Sequence, residues 1–92
     1  MVIKYTKNFL DKLENLFAAS SYHLRYEKGN FKSGYCLLKE TKIVIINKYF
    51  PLEGKINALI DILAELDFDP KEFKEKANQD FFSELRQTTL KF

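Results

Sequence analysis

Apolar residues recur at helical spacing in Phe9, Leu10, Leu13, Leu16 and Phe17, which predicts an amphipathic helix over about 6–19 with Thr6 or Asn8 as its N-cap and Ser20-Ser21 as its end. The period then changes to two. Tyr22, Leu24 and Tyr26 alternate with His23, Arg25 and Glu27, as in a strand with one face turned inward. Gly29-Asn30 is a tight-turn signal, since both residues tolerate positive φ, and Phe31 to Lys39 is expected to return as the second strand of a hairpin. Gly34 inside that strand marks a bulge or a close backbone approach.

Glu40-Thr41-Lys42 predicts a second turn, and Ile43-Val44-Ile45-Ile46 is a continuous apolar run of the kind found in strands covered on both faces. Pro51 suits the first turn of a helix, where its missing N–H is not needed. From there to Leu66, the residues Leu52, Ile56, Leu59, Ile60, Leu63 and Leu66 mark one helix face, and Glu53, Asn57, Asp61 and Glu65 fall together on the other. Asp69-Pro70-Lys71-Glu72 reads as the capped start of a last helix that carries Phe73, Ala77, Phe81 and Leu85 at four-residue spacing, with Asn78 as a break point. The tail from Thr88 to Phe92 alternates and ends on an aromatic.

These elements predict one small α+β domain over residues 1–92: an N-terminal helix, a three-stranded antiparallel β-meander, and two C-terminal helices packed on one face of the sheet. Such a sheet leaves two edges and an uncovered face, which dimerisation can close. Nine Phe and five Tyr in 92 residues are more aromatic surface than a core of this size needs, so part of it is expected to meet a partner. Phe81, Phe82 and Phe92 are the side chains expected at that contact.

Charge and cysteine content add little more. Residues 22–48 hold six basic and two acidic side chains, a balance of +4, whereas residues 49–92 hold six basic and nine acidic ones, a balance of −3. That asymmetry can steer partners. Cys36 is the single cysteine, so no intrachain disulfide forms, which fits a reducing cytoplasm. No apolar stretch nears the ~20 residues of a membrane span, and residues 1–7 lack a signal-like core, so no membrane partner is expected.

Gly34-Tyr35-Cys36, a short turn, Ile43-Val44-Ile45-Ile46-Asn47, and Pro51 leading into a helix together resemble the core of the ImmA/IrrE-type zinc metallopeptidases. The resemblance covers roughly a third of the chain. It implies that an apolar strand ending in Asn leads to the helix that bears the family's H-E-x-x-H motif. With Asn47 on the family's asparagine, Asp61 and Glu65 stand in the two histidine positions and Ile62 in that of the catalytic glutamate. Two imidazoles one turn apart would bind zinc and the glutamate would activate water. Ile62 accepts no proton, and His23, the one histidine, lies on another element. A truncated, catalytically silent relative is implied.

Other chemistry weighs less. Asp61 and Glu65 are the residues a hard cation would choose, but two carboxylates without a third ligand make a weak site, so neither metal nor cofactor is expected. Cys36 and His23 are expected on neighbouring strands, an arrangement that can yield a reactive thiolate, yet the apolar Tyr-Cys-Leu-Leu context reads as core. Arg25, Tyr26, Lys28 and Lys32 interleave basic and aromatic residues and form the alternative surface, one for single-stranded nucleic acid; the alternation works against it by sending Tyr26 and Arg25 to opposite faces. The sequence thus predicts no enzyme, but a cytoplasmic module for protein–protein contact, a homodimer or the binder of a partner protein.

Overall fold

The computed structural model describes residues 3–28, 35–66 and 68–88. The expected turn at Gly29-Asn30, the bulge at Gly34, Lys32 and Phe92 lie outside the described residues.

Helix α1 spans Lys7–Ala19. Of the two N-cap candidates Thr6 is used: its hydroxyl accepts from the Phe9 amide at 3.1 Å. The Ser20 hydroxyl donates to the Phe17 carbonyl at 2.8 Å and accepts from the Tyr22 amide, which ends the helix and turns the chain into the sheet. Phe9, Leu10, Leu13, Leu16 and Phe17 are all buried, as the spacing predicts.

Three strands follow: β1 (His23–Glu27), β2 (Tyr35–Leu38) and β3 (Ile43–Asn47). Their spatial order is β1-β3-β2. The antiparallel meander is therefore corrected to a mixed sheet. β2 and β3 form an antiparallel hairpin, with Leu37 opposite Val44, but β1 runs parallel to β3, with Leu24 opposite Val44 and Tyr26 opposite Ile46. The physical reason lies in β3, the most apolar of the three strands. Placed centrally it pairs along both edges, while the more polar β1 takes an outer position where water reaches one side.

Paired residues share a face of the sheet. One face carries Leu24, Tyr26, Val44, Ile46, Tyr35 and Leu37, all within or packed against the core. The other carries His23, Arg25, Glu27, Ile43, Ile45, Asn47, Cys36 and Leu38. The expectation that Ile43–Ile46 is covered on both faces is corrected accordingly: Val44 and Ile46 are buried, Ile43 and Ile45 only partly so.

Helix α2 spans Leu52–Leu66, with the Pro51 carbonyl accepting from Lys55 at 2.9 Å. Its apolar band is wider than the six predicted positions and includes Ala58 and Ile62, because α2 packs against both α1 and β3. Gly54 lies beneath the Phe50 ring, where a Cβ would come within 2.7 Å of Phe50 Cδ2. The last helical region is divided. Asp69 caps a single 3-10 turn at Pro70–Glu72, accepting from the Lys71 amide, and α3 begins at Lys76 and runs to Thr88. The break falls at 73–75 and not at Asn78. Phe73 is sealed there among Phe68 and Phe82, edge to face at 5.9 and 5.4 Å, while the Gln79 side chain donates to its carbonyl. α3 packs against α1 and the 3-10 turn.

Candidate functional site

With α1 and α2 on one face of the sheet, the described residues place no layer on the other. That open face has an apolar centre, Ile43 and Ile45 on β3 beside Cys36 and Leu38 on β2, and Leu38 is 42% exposed. His23, Arg25, Glu27 and Asn47 form its polar margin. Arg25 and Glu27, two residues apart on β1 and so on the same face, form an ion pair at 2.7 Å.

Among the described residues, the backbone of β1 is half used. The His23 amide donates to the Lys42 carbonyl at 2.8 Å, and the Glu27 carbonyl accepts from Lys48 at 3.0 Å. In a parallel ladder alternate residues turn both of their backbone groups toward the partner strand. His23, Arg25 and Glu27 therefore serve β3, and Leu24 and Tyr26 direct their N–H and C=O groups outward along the edge. Beside that edge lies a cleft of about 510 Å³ lined by Glu14 and Ala18 of α1 and by Ser20, Tyr22, His23, Leu24 and Tyr26. The short side chain of Ala18 leaves the room, and Glu14 supplies the one acidic group. The Tyr26 hydroxyl donates to Glu14 Oε2, and Lys55 of α2 lies 5.3 Å from the centre of the Tyr26 ring. Burial first, then this hydrogen bond and the charge of Glu14, push the Tyr26 phenol well above its ordinary range.

On α2 the polar stripe forms as predicted, with Glu53, Asn57, Asp61 and Glu65 all exposed. The Tyr5 hydroxyl donates to Asn57 Oδ1 at 2.9 Å. Partial burial first, then the charges of Glu65 and Asp61 on the neighbouring helix, raise the Tyr35 phenol. No group of three or more His, Cys, Asp or Glu able to hold an ion exists among the described residues. Ile62, which the resemblance puts in the catalytic position, is fully buried in the core.

The other predicted residues are dispersed. Phe82 is 0% exposed, which corrects its expected place at a contact. Phe81 is half-buried, edge to face with Phe9 at 5.4 Å and with Lys12 over its ring. Tyr26 faces the helices and Arg25 the open face, so the described part of the basic aromatic surface is split between two sides; Lys28 is exposed beyond the end of β1. His23 and Cys36 are not neighbours: β3 lies between their strands, a separation of roughly 10 Å. Cys36 is half-buried on the open face and does not belong to the core. An uncovered face was expected from the size of the sheet, but its make-up and the cleft could not be read from the sequence, because both depend on which strand takes the centre.

No family model matches the chain, and no curated protein or solved structure matches it. No helix among the described residues is long and apolar enough to cross a membrane.

Proposed function

We propose that this protein is a non-catalytic interaction module that associates through its one-sided sheet, in the first instance with a second copy of itself. The observation that carries this reading is the open face. A sheet face turned to water ordinarily alternates to polar residues; here Ile43, Ile45 and Leu38 occupy it, with charged and polar side chains only at the margin. An apolar centre with a polar rim is the anatomy of a protein contact. Phe81, half-buried beside α1, is a secondary contact in this reading. The likeness of 34–66 to a metallopeptidase core then concerns scaffold and ancestry: Asp61, Ile62 and Glu65 retain the positions without the ligands. A reducing compartment such as the cytoplasm suits the module, because Cys36 on the open face would otherwise cross-link copies.

Sedimentation equilibrium of the full chain between ~1 and ~200 μM tests the reading, a range that covers micromolar association. A reversible rise in mass toward the dimer is expected. A constant monomer mass across that range overturns it.

A further inference from the structure

The free edge of β1 is the element best equipped to choose a partner, and the choice is a second copy of the same strand. Leu24 and Tyr26 direct backbone donors and acceptors outward, so a strand added there must set its own outward-facing residues opposite them. For a second copy related by a two-fold axis, three antiparallel registers satisfy this, and they differ in the charges they oppose on the open face. Centring the axis on Leu24 sets His23 against Arg25. Centring it between Leu24 and Tyr26 sets Arg25 against Arg25 at the axis, with His23 against Glu27 on either side. Centring it on Tyr26 sets Arg25 against Glu27 twice, once on each side of the axis. Those residues form a non-hydrogen-bonded pair, the closer of the two kinds of opposition in an antiparallel ladder.

The register centred on Tyr26 is supported a second time on the opposite face. It sets Leu24 against Lys28 of the second copy, on the side where α1 overhangs the edge. The 510 Å³ cleft lined by Glu14, Ala18, Leu24 and Tyr26 opens there, and its one acidic group meets the incoming ammonium. A carboxylate that already accepts from Tyr26 keeps lone pairs for a second donor. β2, the other outer strand, is four residues long and carries no charged side chain, so it has nothing to select a register.

We infer that the protein dimerises by antiparallel β1–β1 pairing about Tyr26, with reciprocal Arg25–Glu27 pairs between copies and Lys28 of each copy seated in the Glu14 cleft of the other. This deepens the self-association proposed above and rests on it. The result is one six-stranded sheet in which the two open faces lie side by side and stay uncovered: the edge supplies the pairing between copies, and the joined apolar faces are left as the contact surface for a partner protein.

Charge reversal tests the register. Arg25→Glu opposes two glutamates at the interface and Glu27→Arg opposes two arginines, so each variant alone should dimerise at least ~10-fold more weakly than the wild type. Mixing the two variants restores both interchain pairs, and their heterodimer should form within ~3-fold of wild-type affinity. The ion pair within each chain stays broken in both variants, so recovery on mixing cannot come from it. Arg25 is 57% exposed and Glu27 40%, with one Glu27 carboxylate oxygen buried, so circular dichroism of each variant should first match that of the parent. Hydrogen exchange on the wild type supplies a measurement without substitution: protection of the Leu24 and Tyr26 amides should rise with protein concentration. A wild-type dimer whose single variants associate as tightly as the parent, or whose variants fail to recover on mixing, overturns this register and leaves self-association standing. A monomeric wild type overturns both.

Discussion

The Tyr26 hydroxyl donates to Glu14 across the junction of β1 and α1, so the outer strand is tied to a helix by a side-chain bond on the side where the described residues give it no neighbouring strand. Replacing Tyr26 with Phe should cost about 1.5 kcal/mol, the low end of the range for a hydrogen bond to a charged acceptor because the site is only part-buried, read from urea unfolding at neutral pH. The raised phenol also sets an alkaline limit. Its folded-state pKa lies above the ordinary value of 10, so its stabilising contribution is complete below pH 10 and declines as pH rises beyond it. Stability measured upward from pH 9 should fall less steeply in Tyr26→Phe than in the parent.

Asp61→Ala and Glu65→Ala should each change stability by no more than ~0.5 kcal/mol, since both side chains are exposed. Their removal should nevertheless lower the Tyr35 phenol pKa, because their charges hold it up. Tyrosine titration by NMR reads this directly. Zinc or manganese, with chelator as control, should leave the melting midpoint of the parent unchanged; a rise reversed by chelator would establish a metal site, and its loss in Asp61→Ala or Glu65→Ala would place it on α2.

Lys42 sits in the left-handed region at φ 57, at the turn between β2 and β3. A side chain there is strained by about 1–2 kcal/mol relative to ordinary helical backbone. Lys42→Gly relieves it, at the cost of a more flexible unfolded chain, for a net gain of about 0.5–1 kcal/mol. The Lys42 carbonyl that accepts from His23 is retained, so β1 stays in register and the change should appear as a higher unfolding midpoint.

Phe81 and Phe82 are adjacent on α3 and should respond unequally. Phe82→Ala opens a cavity beside Phe68 and Phe73 and should cost about 3–5 kcal/mol. Phe81→Ala should cost less than half as much, since that ring keeps water on one side. Thermal unfolding of the two variants compares them directly.

The helices were legible because their evidence is local. The spacing of Phe9, Leu13 and Leu16, the Thr6 cap and the polar stripe of α2 each lie within a few turns of chain. Strand positions were legible for the same reason, but strand pairing was not. The alternation of His23–Glu27 fits a parallel or an antiparallel neighbour equally well, and choosing the nearest strand in sequence led to a meander. The run Ile43–Ile46 signalled a central strand, yet it could not show that Ile43 and Ile45 would face outward. On α3 the four-residue spacing from Phe73 ran across a break that the sequence did not mark. Once the helix restarts at Lys76, the inward face passes to Phe82 and Leu85. The edge cleft was hidden for another reason: Glu14, Ala18 and Leu24 come together only after α1 is laid against β1.

The place of β3 at the centre of the sheet also fixes an order of events in time. β1 and β2 both precede it in the chain, and both pair with it and not with each other. As the polypeptide leaves the ribosome, β1 has no strand to join until residues 43–47 have followed it out. Through that interval its backbone has no strand partner among the described residues, and the apolar face of the α1 segment, synthesised just before it, is what lies nearest in the chain to shelter it.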